Sequence, residues 1–187
     1  MAKAKKMVKT AKKTVKKSAA KTKSKKVAPI PKGYHSVIPY LIVNQGMNAI
    51  EFYKKAFGAK VIMCMPSMTG EAGKVGHAEL QIGDSKFMLG DECPKMNAFA
   101  PQANQRPPIG IHLYMKEVDA VIERAVAAGA KVTRPVANQF YGDRSGGIED
   151  PFGHHWYVAT HVEDVTPGQM KKRMAEMGSH KEMCEVK

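Results

Sequence analysis

Two stretches of this 187-residue chain carry residues that could do acid–base or ligand chemistry. The first is Val75 to Ile82, VGHAELQI. Period-two alternation sends Ala78, Leu80 and Ile82 to one face of a strand and His77, Glu79 and Gln81 to the other. A carboxylate two residues from an imidazole can serve as a general base beside a proton carrier that titrates near neutral pH. Glu79 and His77 are therefore the catalytic candidates, and a hydrogen-bonded pair on one strand face is the alternative. The second stretch is Tyr141 to Val165, YGDRSGGIEDPFGHHWYVATHVEDV. After an Asp150-Pro151-Phe152-Gly153 turn, the run His154 to His161 reads as a strand rich in aromatic and β-branched residues. It places His155, Tyr157, Ala159 and His161 on one face and Trp156, Val158 and Thr160 on the other. Arg144 has a fork that fits a carboxylate or phosphate. The other reading is a turn network with Asp143 or a dimer-interface pair. His77, Glu79, His112 and His155 have side chains that suit Zn²⁺, so a metal site built from them is a further arrangement. His154 and His155 are adjacent on a strand and cannot share one ion there.

Several elements must position these groups. His35 to Val43 reads as a strand. Asn48 to Phe57 reads as an amphipathic helix stopped by Gly58. Strands follow at Lys60 to Pro66, Val75 to Ile82 and Lys86 to Leu89. Asp91 to Pro108 holds four prolines and reads as a linker. The pattern then repeats: a strand at Ile109 to Met115, a helix at Val118 to Ala128 stopped by Gly129, and strands at Lys131 to Arg134, Gln139 to Ile148 and His154 to His161. Phe57-Gly58-Ala59-Lys60-Val61 against Ala128-Gly129-Ala130-Lys131-Val132 shows the duplication in residues. Thr166 is an expected N-cap with Pro167 behind it, opening a short helix over Gln169 to Met177. The fold class is α+β, two βαβββ modules. The chain divides into a tail and linker (1–33), module one (34–90), an inter-module linker (91–108), module two (109–165), and a C-terminal helix and tail (166–187). The thirteen methionines are expected to fill core and helix positions.

Charge is concentrated at one end. Residues 1–26 hold twelve lysines and no acid; the +13 of the chain less the +12 of this segment leaves +1 for the rest. Lysines including Lys5, Lys6, Lys9, Lys12, Lys13, Lys16 and Lys17 would neutralise phosphates and bind DNA or RNA without sequence preference. A solvated tail is the alternative. Three scattered cysteines without CxxC spacing suggest reduced thiols and a cytoplasmic protein, nucleoid-associated if the tail meets DNA. No apolar run is long enough to span a membrane, and no secretory signal is expected.

The motif GDR followed by DPFGHHWYVATHVEDV, with the repeated modules around it, resembles the vicinal-oxygen-chelate superfamily of glyoxalase I, bleomycin-resistance proteins and extradiol dioxygenases. Its PhnB-like subgroup is the most similar. The resemblance covers roughly residues 34 to 178. It implies that the modules curl into a curved, barrel-like mixed sheet with helices outside. It also implies a cavity between paired concave faces and, commonly, a homodimer. The family's metal-ligand positions map onto Ile38, Gly110, Met88 and Tyr157, none of which is a ligand for zinc, nickel or manganese. No cofactor is therefore expected. The same mapping turns Tyr40, Lys86, Met88, His112, Tyr114, His155 and Tyr157 inward. With Gln81 and Arg144 they form the expected ligand cavity. The implied function is binding of a small organic molecule in a metal-free cavity. A metal-dependent lyase or isomerase of the glyoxalase type, and a nucleoid-associated DNA-binding protein, are the alternatives.

The tail reading has a direct check. Deleting residues 1–26 is expected to abolish DNA binding and its steep salt dependence in a filter or fluorescence titration. Binding that survives the deletion contradicts it.

Overall fold

The computed structural model describes residues 27–68, 70–102 and 107–178. The expected lysine contacts of residues 1–26 lie outside these. In chain order the elements are β1 (Tyr40–Val43), α1 (Gly46–Phe57), β2 (Lys60–Pro66), β3 (Val75–Ile82), β4 (Ser85–Asp91) and a 3₁₀ turn (Pro94–Met96). There follow β5 (Gly110–Tyr114), α2 (Val118–Ala127), β6 (Lys131–Asn138), β7 (Asp143–Glu149), β8 (His155–His161) and α3 (Pro167–Gly178). The class is α+β, with two four-stranded mixed sheets of order β1-β4-β3-β2 and β5-β8-β7-β6. The sheets remain separate and do not close into a barrel.

Both helix-ending glycines stand where the repeat put them. Gly58 adopts φ 66° and its N–H reaches Lys54 O at 3.1 Å. Gly129 adopts φ 110°, and Ala130 N–H returns to Ala125 O at 2.9 Å. Each is a left-handed stop that residues with a Cβ disfavour. The duplication extends to irregularities: β2 slips register between Val61 and Met63, and β6 between Val132 and Arg134. Thr166 and Gln169 form a reciprocal cap at the start of α3, Thr166 N–H donating to Gln169 Oε1 at 2.9 Å.

Some boundaries differ from expectation. β1 starts at Tyr40 rather than His35, because Pro39 has no N–H for the ladder. β7 starts at Asp143: Gly142, at φ 99°, closes a turn by donating to Gln139 O at 3.1 Å. The methionines correct a larger expectation. Met63, Met65, Met68 and Met96 are exposed, the last two at 102% and 79%. They are not core filler.

The core lies between the two sheets, filled by their helices. α1 buries Ala49, Ile50, Phe52, Tyr53, Ala56 and Phe57, and α2 buries Val118, Val121, Ile122 and Ala125. Trp156, 2% exposed, meets Phe57 with ring centroids 4.8 Å apart and Tyr53 at 5.5 Å. At this junction Asp150, 3% exposed, accepts four hydrogen bonds. Tyr53 Oη donates to Oδ2 at 2.7 Å and Trp156 Nε1 to the same oxygen at 2.9 Å. Phe152 N–H and His154 N–H donate to Oδ1, each at 2.9 Å. Burial and then the Asp150 carboxylate push the Tyr53 hydroxyl pKa well up, so it stays a donor. Among the described residues, no helix is long and apolar enough to cross a membrane.

Replacing Asp150 strands four donors, three of them buried. Asp150→Ala is expected to cost about 3 kcal/mol or more in urea unfolding, since each unsatisfied buried donor costs ~1–3 kcal/mol; Tyr53→Phe, which removes one hydrogen bond, is expected to cost about 1 kcal/mol. An Asp150→Ala loss below about 0.5 kcal/mol contradicts the assignment.

Candidate functional site

With the core on the helix side, the opposite face of each sheet is open. In module one, Tyr40, Met88, Glu79 and Met63 stand in one row across the four strands. Glu79, 8% exposed, is the centre of this face. It accepts a short hydrogen bond from Tyr34 Oη. His77 Nε2 lies 3.4 Å from its other oxygen, and His77 Nδ1 lies 3.2 Å from Tyr40 Oη. The result is a chain of polar side chains, Tyr34–Glu79–His77–Tyr40. Lys86 Nζ sits 3.6 Å above the Tyr34 ring, a cation–π contact at the edge of the same face. Gln81 is turned to the hairpin, donating to Gly83 O at 2.9 Å. The Tyr34 hydrogen bond is the main reason the Glu79 carboxyl is held below its ordinary pKa; burial opposes it, and His77 and Lys86 add to it. Glu79 is thus an anion near neutral pH, and a weak base.

Module two presents a more aromatic face. His112, Tyr157, Gly147 and Arg134 form one row. Gly147 has no side chain there, so the Arg134 guanidinium reaches across to 5.5 Å from the Tyr157 ring and donates to Ser145 Oγ at 3.0 Å. His112 stacks obliquely on Tyr114 at 4.7 Å. Tyr114 Oη donates to Asp143 Oδ2 at 2.7 Å, and His161 Nδ1 lies 2.8 Å from Asp143 Oδ1. Burial acts to raise the Asp143 pKa, but the His161 and Tyr114 hydrogen bonds outweigh it and hold the carboxyl low. His155 Nε2 lies 3.3 Å from Glu149 Oε2 without forming a hydrogen bond, and is buried.

One candidate is corrected. Arg144 does not line the concave face. It is the second residue of β7, so alternation turns it to the α2 side, where it clamps Asp119 at 2.6 and 2.7 Å. Tyr34, Arg134, Asp143 and His161 join the two faces although sequence reasoning did not place them in the cavity. For His161 the alternation already placed it beside His155 and Tyr157. Tyr34 had no comparable signal.

The family's divalent-metal positions do not fit a metal. Ile38, Met88 and Gly110 offer no hard donor, and a Cβ at Gly110 would meet the Tyr157 ring at 2.5 Å, so that ring fills the space. Among the described residues, no three His, Cys, Asp or Glu side chains gather as a metal site. Four of the candidates, His77, Glu79, His112 and His155, fall on different modules and do not converge.

The Glu79 environment makes a titration prediction. In Tyr34→Phe the Glu79 carboxyl pKa, read by ¹³C NMR, should rise toward its ordinary value. A depressed carboxyl contributes stability above its unfolded pKa, lost as pH falls through the folded one; the variant should lose less stability on acidification. An unmoved Glu79 titration contradicts the assignment.

Residues 34–158 match the Glyoxalase/Bleomycin resistance protein/Dioxygenase superfamily. An uncharacterized protein of Mycobacterium bovis is 38% identical over 143 residues, 75% of this chain and 92% of that one. A solved structure from Pseudomonas aeruginosa is 26% identical and superposes with TM-score 0.53 over 68% of this chain and 98% of its own. A PhnB protein from Bacillus cereus, 16% identical, shares the fold at TM-score 0.54 over 67% of this chain and 99% of its own. With the repeated modules, their matching bulges and the two open faces, the chain belongs to the glyoxalase/bleomycin resistance protein/dioxygenase superfamily.

Proposed function

We propose that this chain is a small-molecule-binding protein whose cavity forms when the open face of one module meets that of a second copy. The observation that carries the reading is the Glu79 carboxyl, held by Tyr34 and His77 on a face otherwise left to solvent. A carboxylate kept charged in a concave, half-apolar surface suits a ligand that brings a hydroxyl, amine or other donor. Module two supplies Tyr157, Tyr114 and His112 for a planar or aromatic part, and Arg134 for an acidic group. A lowered Glu79 pKa favours an anchor over a general base, whose pKa works best near the operating pH. An acid–base role for His77 is the second reading, because its imidazole stands between Glu79 and Tyr40. Neither reading uses a divalent metal, cofactor or membrane. Residues 1–26 would localise this core on DNA or RNA by charge alone.

The test is a thermal-shift screen of the full chain against small aromatic acids, amines and alcohols. The Kd of any hit is then compared in variants. Glu79→Gln should weaken binding by about tenfold or more, as loss of a charged hydrogen bond does. Tyr157→Ala should weaken aromatic hits. Hits whose Kd ignores both substitutions contradict the reading. Turnover of a hit that Glu79→Gln preserves and His77→Gln abolishes would select the second.

A further inference from the structure

Tyr34 reaches Glu79 from a segment that nothing else ties down. It lies ahead of β1, and among the described residues 34–38 make no backbone hydrogen bond to the sheet; the first is Met88 N–H donating to Pro39 O at 2.8 Å. His35, Ser36 and Val37 are exposed, Val37 at 84%. Tyr34 turns back and is half-buried. Its partners are side chains of the open face of module one. The hydroxyl donates to Glu79 Oε2, and Lys86 Nζ stands 3.6 Å above the ring centroid.

Chain packing therefore does not hold the Tyr34 ring; the face does. Each part of the side chain meets a group that suits it. Glu79 Oε1 faces His77 Nε2 at 3.4 Å, and Oε2 is left for the hydroxyl. His77 is steadied in turn by Tyr40, whose Oη lies 3.2 Å from Nδ1. The Lys86 ammonium has no carboxylate in ion-pair contact among the described residues, and the ring face takes that place. The hydrogen bond to Glu79 holds the Tyr34 hydroxyl above its ordinary pKa, so it remains a donor. An aliphatic alcohol would leave Lys86 without a ring, and a benzoate would set carboxylate against carboxylate. A phenol satisfies both groups.

We propose that the Glu79 face is a phenol site and that Tyr34 is its tethered stand-in, displaced by a free phenol that donates to Glu79 beneath the Lys86 ammonium. This rests on the ligand reading given above for the same face and narrows its ligand class. The Tyr34 backbone joins the ring para to the hydroxyl, on the side where His35 and Ser36 are exposed. The ligand is therefore a phenol whose para substituent leads out of the face. A tethered group competes at a high effective concentration, so the intact chain binds free phenols more weakly than a chain without the Tyr34 ring.

The test is chemical rescue of the full chain carrying Tyr34→Ala, with p-cresol as the probe and toluene as the control. Tyr34 lies outside the hydrophobic core, so the substitution leaves the fold intact. p-Cresol is expected to bind Tyr34→Ala about tenfold or more tighter than the intact chain. It should also bring the Glu79 carboxyl titration, raised by the substitution, back down in ¹³C NMR. Toluene should leave Glu79 unmoved. In the Tyr34→Ala background, Glu79→Gln should weaken p-cresol by about tenfold or more, as loss of a charged hydrogen bond does. Lys86→Met should weaken it by about two- to fivefold, the scale of an exposed cation–π contact. p-Cresol that leaves the Glu79 titration unmoved in Tyr34→Ala, or that binds the intact chain equally well, overturns the proposal. So do screening hits that need Glu79 yet bind Tyr34→Ala no better than the intact chain; these leave the ligand reading standing, which falls only to hits that ignore both Glu79→Gln and Tyr157→Ala.

Discussion

One buried carboxylate holds the two halves of this protein together. Asp150 belongs to a turn of module two, yet one of its four donors is Tyr53 on the helix of module one. A buried charge without partners is prohibitive, whereas one with four donors is satisfied. The donors are also geometrically different: two backbone N–H groups fix the turn, the Trp156 indole fixes β8, and the Tyr53 hydroxyl fixes α1. The aromatic cluster of Phe52, Tyr53, Phe57, Phe87, Phe152 and Trp156 then closes around them. The hydrophobic effect drives that cluster together, but it is non-directional. The carboxylate adds a directional contact, tying α1 to the turn before β8.

This arrangement determines what is left over. With α1 and α2 between the sheets, each sheet spends its apolar face inward and offers the other outward. Glu79, His77 and Tyr40 on one sheet, and Tyr157 and Arg134 on the other, are held in outward positions by hydrogen bonds and ring contacts of their own. The family's divalent-metal chemistry has no donors at the expected places, and Tyr157 occupies the space beside Gly110.

Much of this architecture was legible in the residues. Period-two alternation correctly assigned His77, Glu79 and Gln81 to one face and Ala78, Leu80 and Ile82 to the other, because a packed helix enforces the pattern. The glycine-ended helices marked the duplication, since left-handed stops are expensive for other residues. Tertiary facts were not legible. Tyr34 precedes the first strand, in a segment with no periodicity, and reaches Glu79 across 45 residues. Arg134 reaches Tyr157 only because a bulge shifts β6 and Gly147 leaves room. Arg144 was open to a ligand or to a pair with Asp143; as part of β7 it obeys strand alternation and turns to Asp119. Asp150 read as turn chemistry, which it is, but its partner Tyr53 lies 97 residues away.

The central claim is that back-to-back modules leave their concave faces for a second copy. A crystal structure of the full chain tests it most directly. The account predicts a two-fold dimer in which Glu79 of one copy faces Tyr157 of the other across a shared cavity, with Asp150 still bound to Tyr53 within each chain. A protomer whose Glu79 and Tyr157 faces close on each other within one chain, its Asp150–Tyr53 contact absent, would contradict it.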